Sequence, residues 1–420
     1  MNTARLRTLQ ALGMFCGFAA GAWLGGAEAP IKLVNPEISP ITVSLVMVCG
    51  VFLARWSVPA LVRGTSHIRA DVGQAPHLVV WAILAGCMWA VANTLTIYAI
   101  RNVGLSIAFP LWNTNSLLGI FWGFLLFKEL HAAGWKRWLG VIGGALCMFA
   151  GATLLAVASS HEAAPGKATL GIAAALGAGI LWGTMYIPYR KAYLTGMNPL
   201  SFITFFTVGE LVTMLILAIS YRGAGPLWHE LSTARAVLFW LMLGGFVWVI
   251  GDLFQQYATK YVGISRGIPL SNTNQLWGLL WGVLVFHELR GAGHITYEQV
   301  VGGSILMALG AVAIALSSAT ESEHSSWKDA AQREGDRYGV EDEYVRAGME
   351  GRAYESSSTG RSVLDWLLIL VTTALFAALA IISKPPQLDA SFGWAAALSV
   401  VMFTLMAACG VALWRTTRFR

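Results

Sequence analysis

The chain has 420 residues, of which 56% are hydrophobic and 12% charged, with a mean hydropathy of +0.62. Soluble domains carry about 25% charged residues, so this composition excludes a soluble globular protein and describes a polytopic membrane protein embedded in the lipid bilayer. The net charge of +6 does not point to nucleic acid, because the basic residues flank apolar runs instead of gathering on one face.

Apolar runs long enough to cross roughly 30 Å of hydrocarbon fall at 9–27, 39–62, 77–100, 105–127, 139–158, 171–189, 200–220, 237–259, 264–286, 300–318, 363–383 and 394–414. These are twelve expected spans. An N-terminus placed inside puts most of the 28 Lys and Arg on the cytoplasmic side and 7 outside, with Arg266 within a span. The expectation is a plasma (inner) membrane protein with both termini cytoplasmic. The five cysteines all lie in apolar runs, where they read as small hydrophobes and not as disulfide or metal partners.

The chain opens with Arg5 and Arg7, an apolar core and Ala27-Glu28-Ala29, the pattern of a cleavable signal peptide. Against that reading, Gly17, Gly21, Gly25, Pro30 and Lys32 align at a spacing of 158 with Ala175, Gly179, Gly183, Pro188 and Arg190, which favours a retained first span. In the third and eighth spans Gly86, Trp89, Asn93, Tyr98 and Ala99 match Gly245, Trp248, Asp252, Tyr257 and Ala258 at 159. The fourth and ninth spans match best: residues 104–130 and 263–289 share 15 of 27 positions, where chance gives roughly 2. Five duplicated spans are an odd number, so the second copy should lie upside down relative to the first, the plan of many secondary transporters. The expected fold is an all-α polytopic membrane protein: a ten-helix inverted repeat (5+5) plus a C-terminal two-helix hairpin. Its parts are 1–158, 171–318, a polar cytoplasmic linker at 319–362, and a hairpin at 363–415.

The linker holds ten acidic and six basic residues with little apolar periodicity, and reads as a solvated tether with a short helix near residues 327–337. The repeated Pro-Leu-x-Asn-Thr-Asn is the first candidate site, because polar residues in an apolar span are costly and proline disturbs the turn before it. It places Pro110 and Pro269 as helix breakers beside Asn113, Thr114, Asn115 and Asn272, Thr273, Asn274.

The pattern PLxNTNxLxGxxWGxLxFxEL in the fourth span of each half, with ten repeated spans, resembles the drug/metabolite transporter superfamily. Trp182-Gly183-Thr184 with Pro188, residues 251–256 (GDLFQQ) and residues 268–274 (IPLSNTN) make the chain most similar to its glucose/ribose porter group and to rhamnose-proton symporters. The resemblance covers about residues 9–318. It implies proton-linked uptake of a sugar or similar polyhydroxylated solute by alternating access.

A sugar presents hydroxyls and an apolar ring face, so its site needs amides and carboxylates beside aromatic platforms. The six Asn and Thr residues fit, with the alternative that they lock helix to helix. Trp248, Asp252, Gln255 and Gln256 are spaced to share one helical face that lines the cavity, joined by Trp89 and Asn93 from the first repeat and by Tyr186. Asp252 lies near mid-span where its repeat partner Asn93 is neutral, which makes it the candidate proton group; the alternative is a structural pairing with Arg266. Glu210 is a second proton group or an intrahelical hydrogen-bonding partner. Glu129 and Glu288 read as interface anchors beside Lys128 and His287, and Trp122 and Trp281 as packing residues.

No GxxxxGK[ST] loop, metal-ligand cluster or nucleophile–base pair is present in the sequence, so no cofactor, metal or enzymatic activity is expected. Two other functions compete: export of amphipathic metabolites or drugs, and a membrane signalling or scaffold protein acting through 319–362.

Overall fold

The computed structural model describes residues 3–27, 29–30, 38–103, 108, 111–131, 133–158, 168–287, 289–291, 293–317, 319–352, 360–384 and 390–420. These residues are all-helical, and ten of their helices are long and apolar enough to cross a membrane. In chain order the first half holds α1 (Thr3–Gly26), α2 (Pro40–Val62), α3 (Ser66–Gln74), α4 (His77–Val103), α5 (Asn115–Phe127) and α6 (Gly134–Ala158). The second holds α7 (Ala168–Leu194), α8 (Pro199–Arg222), α9 (Ala224–Thr233), α10 (Leu238–Val262), α11 (Ile264–Ser271), α12 (Asn274–Leu280) and α13 (His294–Leu316). Then follow α14 (Glu321–Tyr338), α15 (Asp342–Met349), α16 (Val363–Ile382) and α17 (Phe392–Thr417).

The two spans expected as continuous runs at 105–127 and 264–286 are broken. α5 starts only at Asn115, after a turn at Asn113 and Thr114, while the second run is α11, a turn at Asn272 and Thr273, α12, and a π-helical turn at Trp281–Val285. Proline has no N–H to donate and disturbs the turn before it, and hydroxyls at each turn bond back to carbonyls three residues earlier. Ser271 Oγ donates to Ile268 O at 2.7 Å, Thr273 Oγ1 to Leu270 O at 2.9 Å, and Thr114 Oγ1 to Leu111 O at 2.7 Å. Pro110, Glu28 and Glu288 lie outside the described residues.

In lipid, helices gain little from hiding apolar surface and associate through close backbone contact at small residues. Here those contacts come in pairs offset by 159 residues. A Cβ added to Gly50 of α2 would collide with Met242 O of α10, and one added to Gly209 of α8 would collide with Ile83 O of α4. On α6 and α13, Gly144 and Gly310 face each other's carbonyls, as do Gly151 and Gly303. Helix neighbours follow the same rule: α1 packs on α10 and α12, and α7 on α4 and α5.

The hairpin lies outside this core. Phe376 of α16 packs edge-on against Phe246 of α10, and α17 meets α1 with Cys409 Sγ 3.3 Å from Cys16 Sγ and Trp23 Nε1 donating to Met402 O at 3.0 Å. The segment expected as a solvated tether instead folds as α14 and α15 against the end of the bundle. Among its charges is an apolar stripe at helical spacing, Trp327, Ala330 and Ala331, that is buried together with Tyr344 and Val345. Thr320 caps α14 by accepting from Glu323 N, and Gly339 ends it in a left-handed conformation. Tyr344 OH then donates to Asp71 Oδ1 of α3 at 2.9 Å.

Candidate functional site

Arg55 sits seven residues before the end of α2, which at 1.5 Å per residue is about 10 Å inside the span. Its guanidinium is shared by two carboxylates: Nη1 lies 2.8 Å from Glu210 Oε2 on α8, and Nη2 lies 2.8 Å from Asp252 Oδ2 on α10. All three side chains are at most 1% exposed. A charge buried this deeply is tolerated only when paired and hydrogen-bonded. Asp252 Oδ1 accepts from Gln256 Nε2 at 2.9 Å, and Tyr193 OH donates to Gln256 Oε1. The guanidinium also lies 4.2 Å from the Phe206 ring centre and 5.2 Å from that of Trp248. One cation facing two acids leaves a formal charge of −1 when both acids are ionised. The repeat does not duplicate this constellation: Met214, Val51 and Asn93 occupy the positions equivalent to Arg55, Glu210 and Asp252.

Beside the cluster, the repeat-related Trp89 and Trp248 meet edge to face at 5.5 Å. Tyr186 is buried against Gly119 of α5 and packs on Tyr189 at 5.9 Å. A second polar group joins the two broken spans. Gln275 Nε2 donates to Asn113 Oδ1 at 3.0 Å and Asn272 Nδ2 donates to Ser116 Oγ, two contacts that the offset of 159 converts into each other. These four residues line a cavity, with Met148 and Met307, whose free space holds one water-sized body.

Several expectations need correction. Asp252 pairs with Arg55, not Arg266; Arg266 makes a bidentate pair with Glu323 of α14 at 2.7 and 3.0 Å. Gln255, about 60° round the helix from Asp252, turns its Nε2 to Ser271 Oγ of α11 at 2.8 Å, so that only Gln256 bonds Asp252. Glu210 bonds across helices to Arg55 rather than within α8. Glu129 is no interface anchor. It is fully buried, pairs with Arg190 Nε at 2.7 Å, and accepts from Ile264 N and Ser265 N at the start of α11, where free N–H groups favour a carboxylate.

The remaining candidates lie around these groups. Asn93 Nδ2 donates to Ser44 Oγ at 3.3 Å, Thr114 and Thr273 are taken up by their own turns, buried Asn115 accepts from Ser116 Oγ at 3.2 Å, and Asn274 Oδ1 has no hydrogen-bond partner among the described residues. Arg55 is the residue that sequence reasoning missed. The signal was available: it is the one basic residue well inside the apolar run 39–62.

The all-helical fold, its ten membrane-length helices and a polar cluster deep inside them define an integral membrane protein. The chain belongs to the family described as Sugar transport protein, whose profile matches residues 36–158 and 173–335. It is 22% identical over 237 residues to the putative sugar uptake protein lin0215 of Listeria innocua, covering 56% of this chain and 77% of that protein. It is 22% identical over 218 residues to the glucose uptake protein GlcU of Staphylococcus xylosus, covering 51% and 70%. A putative sugar uptake protein of Streptococcus pyogenes, M5005_Spy1856, is 45% identical over 64 residues, covering 14% and 22%.

Proposed function

We propose that this protein takes up a sugar or similar polyhydroxylated solute together with protons, by alternating access between two inverted five-span halves in the plasma (inner) membrane with both termini cytoplasmic. Within the drug/metabolite transporter superfamily this reading places it in the glucose/ribose porter group. Family membership supports the sugar-like cargo, as do the relatives named for sugar or glucose uptake. The observation that carries proton coupling is the Arg55–Glu210–Asp252 cluster, where a second buried carboxylate has no cation of its own. Burial disfavours the surplus negative charge, and a proton taken from water removes it. Trp89, Trp248 and Tyr186 offer ring faces next to that cluster, with Asn93 and Gln256 as hydrogen-bonding partners. Gln255, Thr114, Asn115, Thr273 and Asn274 stay secondary contacts in this reading.

Asp252→Asn tests it. The amide keeps the size and a hydrogen bond to Gln256, leaves Arg55 paired with Glu210, and matches Asn93 of the other repeat. In proteoliposomes the variant is expected to exchange solute down its gradient while losing accumulation driven by an imposed pH gradient. Accumulation equal to the parent's removes Asp252 as the coupling group and moves the role to Glu210, checked with Glu210→Gln.

A further inference from the structure

We propose that the end of the bundle covered by α14 holds a binding site for a small inorganic anion of halide size, built by Lys260 and Arg190 with His324 and Trp327. The site is separate from the Arg55 cluster and stands whether or not the transport reading does.

A cavity lies where α1, α7, α10, α14 and α15 meet, lined by Arg190, Lys260, Tyr261, His324 and Trp327 together with apolar side chains. Its described lining contains no acidic residue. Four donor-bearing side chains there keep polar atoms without a hydrogen-bond partner among the described residues: Lys260 Nζ, Arg190 Nη2, Trp327 Nε1 and both ring nitrogens of His324. All four residues are at least nine-tenths buried, with exposures of 7, 1, 1 and 9%. Polar groups hidden from water are nearly always paired, and each orphan costs about 1–3 kcal/mol, more when charged.

The nearby acids are committed elsewhere. Glu129 is taken by Arg190 Nε and the start of α11, Glu323 by Arg266 and Leu130 N, and Asp71, whose charge reaches Lys260, by Tyr344 OH and Asn198 N. Lys260 Nζ therefore has no acid bonded to it and no hydrogen-bond partner among the described residues. Arg190 is held over the Trp327 ring at 4.3 Å, which fixes a second donor at the cavity wall. Burial, with Lys328 and Arg190 adding to it, lowers the His324 imidazole to about 4, so at neutral pH it offers one N–H and accepts at the other nitrogen.

Size selects the ligand. The enclosed space is small, which favours a single monatomic anion such as chloride or bromide over phosphate or a carboxylate-bearing metabolite. The binding groups come from α7, α10 and α14, so a bound anion ties the α14 segment to the membrane bundle.

The test compares thermal unfolding of the purified full-length protein in sodium chloride and sodium gluconate at constant ionic strength, with bromide as a second probe. Chloride and bromide are expected to raise the midpoint saturably, and Lys260→Met to abolish the difference between salts. Equal midpoints in the two salts, as for a site filled by water, overturn the proposal, and so does an undiminished chloride effect in Lys260→Met. Should that variant not fold, Trp327→Phe and His324→Phe serve instead: a tenfold or greater rise in the half-saturating chloride concentration is expected, and an unchanged value in both overturns the site. Solute uptake is not read in any arm, so failure here leaves the proposed function standing and the converse also holds.

Discussion

At the scale of single residues, Arg55 decides what the acids of the bundle can be. Taken alone, Asp252 or Glu210 in a span is a costly buried charge; with a guanidinium 2.8 Å from each, one of the two is compensated and the other is the surplus. Removing one partner of a buried pair costs about 3–5 kcal/mol, because the partner left behind is uncompensated. Arg55→Gln is thus expected to lower the midpoint of unfolding strongly. Adding Glu210→Gln and Asp252→Asn should recover most of the loss, since no buried charge is then left unpaired. The check is chemical unfolding of the single and triple variants, and an Arg55→Gln protein as stable as the parent would contradict the shared pairing.

At the scale of elements, the two broken spans hydrogen-bond to each other. The turns at 113–114 and 272–273 turn helix backbone into side-chain contacts, so that Asn113 meets Gln275 and Asn272 meets Ser116. Such cross-helix hydrogen bonds in membranes contribute about 0.6 kcal/mol each and rarely more than about 1.7. A double-mutant cycle on Ser116→Ala and Asn272→Ala is expected to give a coupling of that size. If these amides also touch the solute as the halves rearrange, Asn272→Ala lowers solute affinity at normal abundance. Lower abundance with unchanged affinity assigns them to helix locking alone.

At the scale of the whole molecule, the glycine contacts at Gly50/Gly209 and Gly144/Gly303 and the exchange of helix neighbours describe halves that use equivalent surfaces on each other. Two inverted halves do this when they are related by a two-fold axis in the membrane plane. Superposing residues 40–103 of an experimental structure on 199–262 is expected to require a rotation near 180° about such an axis. Repeats that superpose by rotation about the membrane normal would overturn the inverted plan. The α14 segment has no place in that symmetry. It covers one end of the bundle through Glu323–Arg266 and Arg190 over Trp327, so the two membrane faces of the protein are chemically unlike.

The sequence by itself determined the membrane class, nearly every span and the duplication. Hydropathy, repeat spacing and the cost of polar groups in lipid are properties of the chain read locally or against itself. It also showed Asp252 and Glu210 as anomalous, because a carboxylate in an apolar run stands out whatever lies beside it. Only the tertiary structure decided their partner. Arg55, Glu210 and Asp252 are separated by 155 and 42 positions, and which of the buried acids reaches which arginine depends on helix rotation and depth, not on neighbours in sequence. For the same reason Arg266 turned to Glu323 and Glu129 to Arg190. The apparent tether became part of the protein body because a stripe of few apolar side chains, carried by Trp327, is hard to see among sixteen charges until a surface exists for it to cover.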